Sequence, residues 1–236
     1  MMQTAIEFLT ITRAAILPLF ILITISNVGC LKLKAWLGRN RFVGGIEPPG
    51  RNFGHMAQVN GLVFLHAGLQ GSDFLDDMHI FNSETLEWME ITKLVAGDYP
   101  SGRYSHCYSV LEGVIYIFGG RDYSGNYLND LYVFDPSNLG MTNLTNIARG
   151  QIPSGRGGAV FAAIDTRIFM FGGWQQSGEF FNDLFVLDVP TLTWENRTAD
   201  TSGAIPPPRT SHGFLSHDGK LYVFGGFGYP GFTHLL

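Results

Sequence analysis

Arg103-Tyr-Ser-His-Cys-Tyr-Ser-Val-Leu-Glu-Gly-Val-Ile-Tyr-Ile-Phe-Gly-Gly120 is the stretch on which the fold turns. Its first half alternates small or polar residues with larger ones, and Val114 to Phe118 is rich in β-branched and aromatic side chains. Glu112-Gly113 lies between the halves. Glycine tolerates the positive φ of a tight turn, so the stretch predicts a β-hairpin. Equivalent turns stand at Asn60-Gly61 and Asp218-Gly219. Asp165-Thr166 lacks the glycine, which predicts a longer or strained turn at that point.

The hairpin recurs. Gly45/Pro48/Arg51, Gly97/Pro100/Arg103, Gly150/Pro153/Arg156 and Gly203/Pro206/Arg209 repeat one offset at intervals of 52, 53 and 53 residues. Sixteen and seventeen residues past each arginine comes a small pair: Ala67-Gly68, Gly119-Gly120, Gly172-Gly173 and Gly225-Gly226. A gapless pattern in four copies, with a period near 50, reads as a propeller or an array of one supersecondary unit. A third run follows each complete copy, Leu75–Asn82, Leu128–Asp135 and Phe181–Asp188. A fourth then carries Trp88 or Trp194, with Met141 at the same place in the second copy; methionine fills irregular apolar space adaptably. Four short strands with Gly-rich turns predict an all-β chain of four-stranded antiparallel blades.

The Gly-Gly pair, the downstream Leu128-Asn-Asp-Leu-Tyr132 element and the tryptophan of the last strand together resemble the kelch family of β-propellers, over roughly Trp36 to Phe227. The match weakens at Ala67, Met141 and Thr166. Kelch rings usually close with six or seven blades, so the resemblance implies an arc of such a ring. Trp88, Met141, Trp194 and Trp36 each precede a repeat arginine by fifteen residues. Trp36 therefore reads as the last strand of an earlier blade. The expected architecture is three complete blades with partial blades at both ends, the repeats starting near residues 48, 100, 153 and 206. A cramped four-bladed closure is the competing architecture.

Residues 1–31 form an apolar amino-terminal segment, and residues 32–236 the repeat segment. Ala14 to Leu31 is largely apolar, carries no charged residue, and reads as a signal, a short anchor or a non-native leader, with a buried helix as a further reading. Membrane contact, if any, would come from this stretch alone. Location is left open between cytoplasmic, membrane-tethered and secreted. Hydrophobic residues make up 45% of the chain, enough for a packed core. A net charge of −5 without a basic stripe argues against nucleic-acid binding. The small cluster Lys32, Lys34, Arg39 and Arg41 reads as solvated linker charge. Cys30 and Cys107 cannot form a disulfide framework, and Cys107 reads as a buried strand thiol.

Catalytic chemistry is hard to find. The seven histidines show no helical zinc-site spacing. His106 and His212 share one repeat position, which favours a structural hydrogen bond over metal binding. Glu179 and Asp183 are followed by Leu187 rather than histidine, against the iron-binding pattern of kelch proteins that act on glucosinolate products. Asp76-Asp77 and the equivalent Asn-Asp pairs read as caps and turn acceptors. No catalytic residue, metal ligand or cofactor is expected. Function is assigned to the loops, where propellers vary while the blades stay uniform. By resemblance to peptide-binding kelch proteins, the candidate partner-binding residues are Arg51, Arg103, Arg156 and Arg209, Arg121, Asp122 and Tyr123, and Trp174, Gln175 and Gln176. An invariant repeat position reads first as blade geometry for the four repeat arginines, whereas Arg121 and Trp174 depart from strict repetition and are residue types favoured at binding hot spots. Arginine would pair with acidic partner groups, and tryptophan would stack or fill a pocket. The expected function is a non-catalytic scaffold that binds a protein partner. The alternative is a segment of a galactose-oxidase-like kelch metalloenzyme whose ligands lie in blades not included here.

Overall fold

The computed structural model describes residues 44–229 and 231–232. Trp36, Cys30, the basic cluster and the apolar segment lie outside the described residues. Three sheets and two further strand pairs follow one another along the chain. The first blade contains β1 (Gly44–Gly45), β2 (His55–Val59), β3 (Leu62–Gln70), β4 (Asp73–Asn82) and β5 (Glu87–Glu90). The second contains β6 (Ala96–Gly97), β7 (Arg103–Tyr104), β8 (Cys107–Leu111), β9 (Val114–Asp122), β10 (Tyr127–Asp135) and β11 (Gly140–Asn143). The third contains β12 (Arg149–Gly150), β13 (Val160–Ile164), β14 (Arg167–Phe171), β15 (Leu184–Asp188) and β16 (Thr193–Asn196). The fourth unit has the hairpin β17 (Gly213–His217) and β18 (Lys220–Phe224), then the short pair β19 (Phe227–Gly228) and β20 (Gly231–Phe232). The chain is an all-β propeller arc of antiparallel blades.

The four-strand expectation is extended at the outer edge. β1, β6 and β12 pair in parallel with β5, β11 and β16, so each complete blade gains a two-residue outer strand from the segment that enters it. This explains the repeated glycine. A Cβ on Gly45, Gly97 or Gly150 would stand 2.0, 2.2 or 2.3 Å from the carbonyl oxygen of Trp88, Met141 or Trp194. Only a residue without a side chain can run that close to the neighbouring backbone.

Asp165-Thr166 makes a turn of the same length as the others. Ile164 pairs directly with Arg167, and Asp165 takes φ 53°. The longer loop is excluded. Asp165 takes the left-handed backbone that Asn60, Glu112 and Asp218 take in the other turns, and the departure falls on Thr166, which does not share the positive φ of Gly61, Gly113 and Gly219, a region a β-branched residue avoids. Ala67, at the position of Gly119 and Gly172, takes φ 55° while fully buried. Met141 substitutes for tryptophan at 2% exposure, and β11 keeps the four-residue length of β5 and β16.

Adjacent blades interlock through their apolar faces. Phe118 of the second blade packs with Phe161 and Trp194 of the third, at ring separations of 6.1 and 5.4 Å. Phe64 of the first meets Phe134 of the second at 5.7 Å. A backbone relay also crosses the blades: Ser105 N–H donates to Phe53, Gly158 N–H to Ser105, and Ser211 N–H to Gly158, at 3.2, 2.7 and 2.9 Å. These four residues sit two places past the repeat arginines and all have positive φ. Each blade is thereby pinned in register to the one before it.

Candidate interaction face

The repeat arginines form an internal frame. Arg51, Arg103, Arg156 and Arg209 are 4, 1, 2 and 0% exposed. Each Nη1 donates to the backbone carbonyl sixteen residues on, at Ala67, Gly119, Gly172 and Gly225. Each Nε donates to the carbonyl two residues back. In the three complete blades the fork is closed by a carboxylate: Asp77 on Arg51, Asp130 on Arg103 and Asp183 on Arg156. All three pairs are bidentate, the last two with distances of 2.6 to 3.0 Å. Asp77, Asp130 and Asp183, read from sequence as caps and turn acceptors, are thus arginine partners instead. Their spacing held the signal, an acid 26 or 27 residues past every arginine of a complete repeat. Burial pushes the Asp77 carboxyl up, but hydrogen bonds from His79 and Arg51, with the Arg51 charge, outweigh it and hold it well below the ordinary carboxylate range.

Above this frame lies an arc of aromatic side chains that sequence reading did not assemble. Phe53, Tyr104, Phe74 and Tyr123 make one ladder, with successive centroids 5.6, 5.2 and 5.7 Å apart. Tyr127, Trp174, Phe180 and Phe227 make a second, at 5.3, 6.4 and 5.7 Å. Arg121 joins the two. Its Nη1 donates to the Tyr104 hydroxyl at 2.9 Å, and its guanidinium lies over the Tyr127 ring at 5.8 Å. The phenol contact also raises the arginine's pKa, first through the hydrogen bond and then through charge.

The other loop candidates separate by exposure. Tyr123 is 81% exposed at the end of its ladder. Asp122 accepts from the Asn126 backbone N–H and Nδ2 at 2.8 and 3.0 Å, which holds its carboxylate in the turn. Gln175 Nε2 donates to Glu179 at 2.7 Å, and Gln176 is exposed. Trp174 is half-buried and exchanges backbone hydrogen bonds with Gly157. The structure brings Arg121 and Trp174 onto one aromatic arc through Tyr127, with Tyr123 on its other limb, while the four repeat arginines lie beneath the surface.

Between the first and second blades, His55, His66, His106 and Tyr108 collect into a polar cluster. His66 Nδ1 and His106 Nε2 share a hydrogen bond at 3.2 Å, and the rings of His55 and His106 meet edge-on at 4.7 Å. Burial lowers the pKa of His55 to about 4 and that of His66 to about 3. Burial, then the neighbouring His55 and His66, holds His106 well below the usual range. His212, at the same repeat position as His106, packs edge-on against Phe171 at 5.5 Å and has no hydrogen-bond partner among the described residues. The expected hydrogen bond is therefore present at His106 and not at His212. Cys107 is buried and donates to the Ala159 carbonyl at 3.2 Å, with its thiol pushed up by burial. Among the described residues, no group of three or more His, Cys, Asp or Glu is arranged to hold a metal ion. Nor is any helix among them long and apolar enough to cross a membrane.

Residues 92–235 match the family model of the KLHDC2/KLHL20/DRC7 Kelch-repeats domain. The chain belongs to the kelch-repeat family. This kelch chain is similar to Kelch domain-containing protein 3 of Bos taurus, 29% identical over 157 residues, which are 64% of this chain and 40% of that protein. It is also similar to the Rho GTPase-activating protein gacHH of Dictyostelium discoideum, 35% identical over 54% of this chain and 8% of that protein. A third relative is the N-(sulfonatooxy)prop-2-enimidothioate sulfolyase of Thlaspi arvense, 34% identical over 59% of this chain and 40% of that enzyme. The chain thus spans well under half the length of each.

Proposed function

We propose that this kelch chain is a non-catalytic interaction module that docks a protein partner on its loop face, with Arg121, Tyr123 and Trp174 as anchors. The observation that carries this reading is the aromatic arc joined by Arg121. Propeller blades need their inner faces packed, but nothing in blade geometry requires a ladder of rings outside them that ends on an 81% exposed tyrosine. Tyrosine, tryptophan and arginine are the residue types that concentrate binding energy, because they offer large, rigid contact area with polar handles. Asp122, Gln175 and Gln176 supply polar contacts at the rim. The four repeat arginines serve as the frame that fixes the loops, since their donors are directed into the blades.

The sulfolyase likeness does not move this reading toward catalysis. Asp183, which would have to be a ligand in the glucosinolate-type pattern, holds Arg156 through both oxygens. The test is quantitative binding of a recovered partner to the full chain and to Tyr123→Ala, Trp174→Ala and Arg121→Ala. Losses above about 1 kcal/mol for at least two variants, with unchanged circular dichroism, support the anchors. Unaltered affinity in all three would remove this face. Stoichiometric iron or copper in the purified chain would overturn the non-catalytic assignment.

A further inference from the structure

We infer that the seam between the first and second blades carries a receptor cleft for a cationic side chain of the partner, an arginine above all. This rests on the loop face being the partner surface, and it names the chemistry of one contact. The cleft has a volume of about 380 Å³ and lies between Asp73 and Phe74 on one side and Asp122, Tyr123 and Ser124 on the other. The two walls come from different blades. Its floor is fixed by backbone, because Gly102 lies so close to Phe74 that a Cβ there would be 2.4 Å from the Phe74 carbonyl oxygen.

Two carboxylates and two rings define what fits. Asp73 is exposed on the first-blade wall, and Asp122 is oriented by Asn126 on the second. Neither forms an ion pair among the described residues. Phe74 and Tyr123 meet edge-to-face at 82°, which leaves the ring of an 81% exposed tyrosine open to a flat group. The neighbouring cation, Arg121, makes its direct contacts with Tyr104 and Tyr127 and forms no ion pair with Asp122, although the Asp122 charge acts on it, so Asp73 is the carboxylate most open to an incoming cation. A guanidinium stacks on an aromatic face and pairs with a carboxylate through its planar fork, which a lysine ammonium does less well. An acidic group, expected opposite Arg121 from sequence alone, would meet two like charges at this seam.

The test uses the full chain and a peptide capped at both ends, acetyl-Gly-Gly-Arg-Gly-Gly-amide, so that neither terminus carries charge. Its counterpart has glutamate in place of arginine. Saturable binding of the arginine peptide is expected, followed by chemical-shift changes at the Tyr123 and Phe74 rings, with no comparable response to the glutamate peptide. Asp73→Asn with Asp122→Asn should weaken it about five- to tenfold, and raising salt should weaken it further. Equal binding of the glutamate peptide, no saturable binding of the arginine peptide, or an unchanged double variant would each overturn the cleft. With a partner in hand the two proposals separate. Loss on Trp174→Ala with an unaffected Asp73/Asp122 variant leaves the face and removes the cleft; no loss from either removes both.

Discussion

Phe118 and Phe224 stand at the same repeat position, fifteen residues past Arg103 and Arg209, yet Phe118 is fully buried and Phe224 is 64% exposed. Tyr116 and Tyr222 repeat the contrast, at 7 and 46%. The sequence at these positions is nearly constant; the neighbour differs. Phe118 has the third blade against it, whereas no described residue covers the corresponding face of the β17–β18 hairpin. The arginines differ in the same way. Arg103 closes its fork on Asp130, while the Nη2 of Arg209 is buried without a partner among the described residues. A repeat residue in a propeller thus has no fixed energetic value. What it contributes is set by the blade that packs on it and by the third strand that brings its acid.

This contrast can be broken most directly at the phenylalanines. Phe118→Ala should destabilise by about 3–5 kcal/mol, through lost transfer energy and the cavity left behind, and Phe224→Ala by no more than about 0.5 kcal/mol. Urea denaturation of both variants measures it; comparable losses would mean that the fourth unit is covered in solution. Next come the ion pairs. Asp130→Ala leaves a buried guanidinium uncompensated and should cost about 3 kcal/mol, the low end for a buried pair because the carboxylate keeps some water contact. Arg209→Ala should cost less, since that arginine has no carboxylate to strand. If the two losses are equal, the carboxylate adds nothing to the frame.

The hairpins, the blade period and the tryptophan strands were all legible in the sequence, because turn glycines and alternation act over a few residues. The outer strands were not. Two residues at Gly44–Gly45 or Arg149–Gly150 carry no β-pattern, and they pair only because the blade offers an open edge. The arginine–aspartate pairs were written in the spacing, yet a fixed repeat position says only that an arginine serves the blade, and its partner stays unnamed until the acid 26 or 27 residues on is recognised. Loop candidates Arg121 and Trp174 were found as departures from the repeat. Their connection was hidden, because Tyr104, Tyr127 and Phe180 enter the arc from separate strands and loops and meet only when the blades stack.

A smaller effect separates the motif glycines. Gly150→Ala adds a Cβ 2.3 Å from the Trp194 carbonyl oxygen, so β12 must leave its edge. Gly203 has the same left-handed backbone, φ 82° against 86°, but nothing within 4 Å of a built Cβ. Gly203→Ala should therefore cost only the conformational strain, about 1 kcal/mol, and Gly150→Ala about 1 kcal/mol more. Equal losses in thermal melts would show that the outer strand contributes nothing.

The smallest expected effect is the pH dependence carried by one histidine. Burial, reinforced by the charge of Arg209, lowers the pKa of His212 to about 4. The unfolded chain protonates this ring near its ordinary value of 6.5, whereas the folded chain refuses the proton until about pH 4. Its contribution is complete above pH 6.5, falls as acid is added through that window and levels off below it. His55 and His66 titrate in the same direction, and Asp77 adds a further loss in stronger acid, where its depressed carboxyl must take up a proton. His212→Asn should reduce the acid-side slope of stability by at most one proton, and His106→Asn by more, because His106 is coupled to His55 and His66. Denaturant titrations between about pH 7 and 4 measure both slopes. A slope unchanged by either substitution would mean that these rings reach water in the folded state, and that the seams they occupy, between the first and second blades and between the third blade and the fourth unit, are open to it.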